Sequence, residues 1–270
     1  MQAVALPARA GLRWAQDGWN LYRSQPLAFF SWAMFISLIL MIASITPPVG
    51  PIVFVVLMPA VTFLTLCASR EAAAGNKMLL GMWLQPLRQK PVLKRLLAMG
   101  AAYMVLCIIM GLIAFMPFME ELSESVQTAT ASNNLVPLLE AVRTPMIIFA
   151  IMYVLLASLF WYAPALVGWH GTSLMQALFF SGIACWRNKW AFMVYGLVWV
   201  GVFIGIDLAM SLLEMLSLSE SMTATIQIPL NIVAGSILYC SFYPNYLSVF
   251  EAHDTGTNAK DDADNSASTD

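Results

Sequence analysis

Six long stretches of this 270-residue chain carry no charged side chain except at one point, Asp207. Holding a carboxylate inside hydrocarbon costs at least about 2.5 kcal/mol, so such a group meets a partner, a water-filled cavity, or a proton or cation in passage. Leu213, the end of its stretch, lies six residues on, which puts Asp207 about two turns, roughly 10 Å, from one membrane surface. No Lys or Arg lies in any of the stretches to pair with it. Uncharged partners of matching depth are Ser211, one turn further on the same face, and Gln227 and Asn231 on the next stretch. Two chemistries are open to this set. One is an interhelical hydrogen bond that sets two helices against each other; the other is a proton or cation site.

Other reactive residue types form no constellation. His170 has no second histidine or carboxylate nearby, and His253 lies in the polar C-terminal segment, so the reading is an interfacial residue bonded to a turn rather than a metal ligand. Cys67, Cys107, Cys185 and Cys240 are far apart, without a CxxC pair, and are expected to be small core or lipid-facing residues. No HExxH, phosphate-binding glycine loop, GxSxG or pair of intramembrane carboxylates occurs. We therefore expect no catalytic residue, no cofactor, no metal and no enzymatic activity. Gly201 and Gly205 form a GxxxG spacing beside Asp207, which would admit a neighbouring helix closely.

The elements that must position these groups follow from hydropathy. Hydrophobic residues make up 60% of the chain and charged ones 10%, whereas soluble domains run at roughly 45–50% and 25%. A helix needs about 20 apolar residues to cross a hydrocarbon core of roughly 30 Å. Six stretches qualify: residues 27–45, 49–69, 96–119, 146–169, 191–213 and 226–250. Backbone groups in lipid must pair within their own segment, so the expected fold is an all-α integral membrane domain over residues 1–250. The first stretch begins only at Leu27, behind an arginine-bearing segment and without a cleavage-site pattern, and is expected to be retained as a span.

Charge orients these spans. All thirteen Lys and Arg except Arg143 fall in connections on one side, and the opposite side is acidic, with Glu120, Glu121, Glu124, Glu140, Glu214 and Glu220. The positive-inside rule then puts both termini in the cytoplasm. The acidic, aperiodic residues 251–270 read as a disordered cytoplasmic tail. Residues 120–145 form a long external connection, with a short helix expected around residues 135–142.

Each basic connection carries a helical stripe. On a 100° projection Arg9, Arg13, Gln16, Asp17, Asn20, Arg23 and Ser24 share an arc of residues 9–24, opposite Trp14, Gly18, Leu21 and Tyr22. Lys77, Gly81, Gln85 and Arg88 form a second stripe; Ser173, Gln176, Ala177, Ala184, Arg187 and Asn188 form a third, facing away from Leu178, Phe179, Ile183 and Trp186. The expected architecture is therefore three hairpins of spans, each preceded by a cytoplasmic amphipathic interfacial helix. Pro59, Pro164 and Pro244 recur in the second span of each hairpin, and each frees the carbonyl four residues back, on Val55, Phe160 and Cys240. Arg9, Arg13, Arg23, Lys77, Arg88, Lys94, Arg95, Arg187 and Lys189 are the expected contacts to anionic lipid head groups, each contributing about 1 kcal/mol. A net charge of −2 points to no nucleic-acid partner.

Two stretches, PARAGLRWAQDGWNLYRSQPLAF (7–29) and YAPALVGWHGTSLMQALFFSGIACWRNKWAF (162–192), together with the span layout, resemble an uncharacterised family of proteobacterial six-span inner-membrane proteins. The resemblance implies a Gram-negative inner membrane and brings no activity with it. The expected role is a non-enzymatic membrane protein supporting envelope organisation, assembly or lipid-linked homeostasis. The alternative is a small-solute or proton-coupled transporter or channel that uses Asp207.

Overall fold

The computed structural model describes residues 3–78, 89–216 and 219–250, with the side chain of Glu220 also left undescribed. The expected stripe residues Gly81, Gln85 and Arg88, and the expected tail at 251–270, lie outside the described residues. Every regular element among the described residues is helical: α1 (Ala10–Ser24), α2 (Pro26–Ser44), α3 (Val49–Ala73), α4 (Lys90–Phe115), α5 (Met119–Ser132), α6 (Val136–Phe160), α7 (Ala163–His170), α8 (Leu174–Arg187), α9 (Lys189–Met215) and α10 (Glu220–Phe250). Six helical runs are long and apolar enough to cross a bilayer: Pro26–Ser44, Val49–Ala73, Lys90–Ser132, Val136–His170, Lys189–Met215 and Ser221–Phe250.

Burial is concentrated at the end of the bundle that carries the basic residues. On α2 it falls mainly on Phe29, Trp32, Ala33 and Ile36, on α3 from Pro59 to Ala72, on α9 mainly at Ala191, Tyr195 and Trp199, and on α10 mainly from Ala234 to Phe250, with Ala43, Met210 and Thr223 buried nearer the acidic end. Towards the acidic end these helices present Leu40, Ile52, Leu208 and Ile228 outward, as α4 and α6 present Ile113 and Val154. In hydrocarbon this costs nothing in hydrophobic terms, since lipid tails are as apolar as these side chains; helix contact there must come from packing or polar bonds. The spans therefore converge at the basic end on an aromatic core. Trp161 meets Phe242 at 4.9 Å between ring centroids, Trp169 meets Tyr246 at 5.0 Å, and Trp14 meets Phe192 at 5.2 Å.

Helix α1 is seated on that core. Ala10, Gly11, Trp14, Gly18 and Tyr22 form its buried stripe, and they pack against α9 and α10. A methyl group at Gly11 would collide with the Ala191 carbonyl, and one at Gly18 would sit 2.5 Å from the Ser241 Cβ, so both positions require glycine for the helices to touch. The Trp14 indole N–H donates to the Ser248 hydroxyl at 2.7 Å. Ahead of α1, the buried Asn188 side chain accepts from the Leu6 N–H at 2.8 Å and donates to the Val4 carbonyl at 2.9 Å, which ties the N-terminal segment to the α8–α9 junction.

The fourth span is discontinuous. Helix α6 stops at Phe160 and α7 restarts at Ala163, with Pro164 in its first turn, where a missing N–H is tolerated. Helix α7 ends on Gly171, whose φ of +63° is the left-handed cap that glycine adopts without strain. Helix α8 then begins with a capping box between Ser173 and Gln176. Its buried face is the small-residue set Ala177, Ser181, Ala184 and Cys185, while Phe179, Ile183 and Trp186 are exposed. Small side chains let α8 lie close against α6, and its large apolar side chains are left for lipid.

The connection on the acidic side differs from the short helix expected at 135–142. Residues Met119–Ser132 form α5, Asn133 caps it with a φ of +48°, and α6 starts at Val136 and runs through Pro145 without a break. Pro137 occupies the first turn of α6, and the Asn134 side chain accepts from the Val136 N–H at 3.0 Å, so the start signal lies just upstream of the expected helix and the helix continues into the span.

Candidate functional site

Asp207 and Gln227 are brought together. The Gln227 amide donates to the Asp207 carboxylate at 2.7 Å, linking α9 to α10 on an exposed flank. Ser211 and Asn231 make no hydrogen bond to this pair. One to two turns nearer the acidic end, the buried Thr223 hydroxyl donates to the Glu214 carboxylate at 2.7 Å. The two bonds stitch the fifth and sixth spans where their apolar faces give them little hold. Gly201 and Gly205 have no neighbouring atom within 4 Å of where a side chain would begin; the GxxxG edge faces away from the bundle.

A denser polar set lies at the opposite end, around the break in the fourth span. The buried Ser181 hydroxyl accepts from the Tyr162 N–H at 3.0 Å and donates to the Ser158 carbonyl at 2.9 Å, so one side chain from α8 satisfies both sides of the break. The Tyr162 hydroxyl donates to the Asn245 side-chain oxygen on α10, and Tyr195 and Ser241 share a 2.5 Å hydroxyl contact. His170 Nε2 bonds to the Tyr246 hydroxyl at 2.6 Å. The expected turn residue thus also fastens α7 to the sixth span. Asn245 is fully buried, and its amide nitrogen has no partner. An unmet buried donor costs about 1–3 kcal/mol.

Composition and spacing did not single out Tyr162, Ser181 or Asn245. The signals they offered were slight: an uncharged amide next to Pro244 in a span that carries other uncharged polar residues, and a serine on the small-residue face of α8. Cys185, on that same face, has its thiol pushed up to about 12 by burial, which leaves it an unreactive small packing residue. Among the described residues no three His, Cys, Asp or Glu side chains cluster with metal-binding geometry.

The described cations among the expected head-group contacts, Arg9, Arg13, Arg23, Lys77, Lys94, Arg95, Arg187 and Lys189, are all exposed. Two are held by aromatic faces: Arg23 lies 5.8 Å from the Trp19 ring centre, and Lys189 lies 4.6 Å from that of Trp186. Arg95 is also structural, donating to the Gly171 carbonyl at 2.9 Å.

Two of the cavities among the described residues bear on this arrangement. One, of about 320 Å³, is lined by Pro59 and Pro164, by Val55 and Phe160, whose carbonyls those prolines leave without their helical N–H, and by Thr62 and Tyr103. The other, of about 630 Å³, is a groove between α1, α9 and α10.

Six apolar helical runs, a broken span, and cations gathered at one end define a polytopic membrane protein embedded in a lipid bilayer. Over 263 residues, 95% of this chain and 96% of the other, it is 30% identical to a probable inner membrane protein of Burkholderia thailandensis. The chain belongs to that protein's family. No family profile matches it, and no solved structure matches it.

Proposed function

We propose that the protein is a non-catalytic inner-membrane protein, with both termini cytoplasmic, that supports envelope organisation, assembly or lipid-linked homeostasis through its lipid-contacting basic surface. The inner-membrane location rests on the family, whose Burkholderia member carries that description. The orientation rests on the placement of Lys and Arg.

The observation that carries the reading is the Gln227–Asp207 bond. The one carboxylate within the six apolar stretches has an uncharged partner on a neighbouring span and serves to join helices. A proton-coupled mechanism would need that group to load and unload a proton along a pathway. The test is proton flux into proteoliposomes followed with a pH-sensitive dye. The expected result is no difference between the wild type and Asp207→Asn; flux that depends on Asp207 overturns the reading. A C-terminal alkaline phosphatase fusion tests the orientation separately, and high activity there reverses it.

One observation favours a small-solute transporter, though at a site other than the Asp207 that the alternative reading of the sequence used. Pro59 and Pro164 line the same cavity beside carbonyls without helical partners, and broken helices with open carbonyls are where transporters bind substrates. That site is distinct from Asp207, so solute uptake lost on Thr62→Val and Tyr103→Phe but kept in Asp207→Asn would support it.

A further inference from the structure

The groove between α1, α9 and α10 is amphiphilic along its length. At the basic end α1 forms its mouth with Gln16, Trp19 and Asn20. Its walls are Val198, Val202 and Ile206 from α9, and Leu230, Val233 and Ile237 from α10. From Val198 to Ile206 the helical rise gives a trough of about 12 Å, most of one leaflet's hydrocarbon depth. It stops one residue short of Asp207, where the Gln227 bond draws the two spans together.

The charge at the mouth is positive. On the helical projection of α1, Arg9 and Arg23 fall on the same stripe as Leu12, Gln16 and Trp19. The guanidinium of Arg23 is held 5.8 Å from the centre of the Trp19 ring, which itself lines the groove. Asn20 and Gln16 add amide donors beside it. Head-group donors at the interface followed by an apolar trough of leaflet depth match a phospholipid and no water-soluble ligand.

We propose that this groove holds one acyl chain of an anionic phospholipid, with its phosphate on α1 at Arg23, Asn20 and Gln16, and that the lipid replaces direct packing between the fifth and sixth spans. The proposal rests on the reading of the basic end as a lipid-contacting surface and narrows it to one site.

The probe is phosphatidylglycerol, compared with phosphatidylcholine, in vesicles carrying the full chain, with the lipid retained after detergent extraction counted by native mass spectrometry. The wild type is expected to keep one phosphatidylglycerol preferentially. Val202→Trp, which fills the trough, and Arg23→Glu should each lower that retention at least about fivefold. Leu208→Trp adds the same bulk on a lipid-facing surface outside the groove and should leave it unchanged. Melting curves confirm that the variants are folded, and Ala15→Phe at the mouth serves if Val202→Trp is not. Equal retention in Val202→Trp and Leu208→Trp overturns the groove. If retention is instead lost on Arg187→Glu with Lys189→Glu while both groove variants bind normally, the groove fails and the lipid-binding surface stands. No preference for phosphatidylglycerol in any form sinks both.

Discussion

The Tyr162 hydroxyl donates to the Asn245 side-chain oxygen, joining the break in the fourth span to the sixth span from within the aromatic core. Both residues are almost wholly buried, and Asn245 already has an unmet amide. Tyr162→Phe should therefore lower stability by about 1–3 kcal/mol, because the Asn245 oxygen loses its donor without gaining water. Adding Asn245→Leu to the Tyr162→Phe variant should recover part of that loss, since removing both polar partners is milder than removing one. Melting in detergent of the two single variants and the double variant measures the coupling; strictly additive losses would mean that the bond contributes nothing.

Helix α1 depends on contact with the protein. Gly18 lies against Ser241 on α10, and Trp14 is 1% exposed among Phe192 and Tyr195. Gly18→Leu should displace α1 from the spans, and Trp14→Ala should cost about 3–5 kcal/mol. Limited proteolysis reads the outcome: cleavage in residues 10–24 should rise sharply in both variants and stay low in Ser24→Ala, which alters an exposed side chain outside the groove.

These two cases mark what the chain disclosed by itself. Spans and charge asymmetry were legible because hydrocarbon tolerates so few solutions. The stripe Trp14, Gly18, Tyr22 was legible too, but an apolar stripe reads the same whether it faces lipid or another helix, so its seat on α9 and α10 was not. Pro164 marked the break in the fourth span. That Ser181 closes it depends on the path of α8, which no local pattern encodes. Gln227 stood among the named partners of Asp207; Asn231 was equally eligible by depth, and the rotation of α9 against α10 separates the two, while Ser211, one turn along α9 itself, was eligible by face. The GxxxG spacing finds no close neighbour among the described residues, because small residues permit a close approach without requiring one.

Asp17 gives α1 a pH signature. Partial burial raises its carboxyl above the ordinary carboxylate value, and Arg13 opposes the shift. A raised folded-state value means that the folded chain binds this proton more tightly than the unfolded chain does. The contribution is thus present below about pH 3.9 and is lost as pH rises through the folded-state value. Asp17→Asn should raise the melting temperature slightly at neutral pH and flatten its decline above about pH 4. A wild-type profile with the opposite slope, unchanged by the substitution, would contradict the assignment.

The charged groups fall into two sets: cations at the basic end, proposed to meet lipid, and a carboxylate near the acidic end that bonds to the neighbouring span. Complementation of a deletion strain tests that division most directly. Asp207→Asn keeps a hydrogen bond to Gln227 and should restore growth and envelope integrity as the wild type does. The combined reversal Arg13→Glu, Arg23→Glu and Arg187→Glu, expressed and inserted at equal level, should fail to restore either. Full rescue by the triple reversal together with loss of rescue by Asp207→Asn would contradict the account and put the function at Asp207.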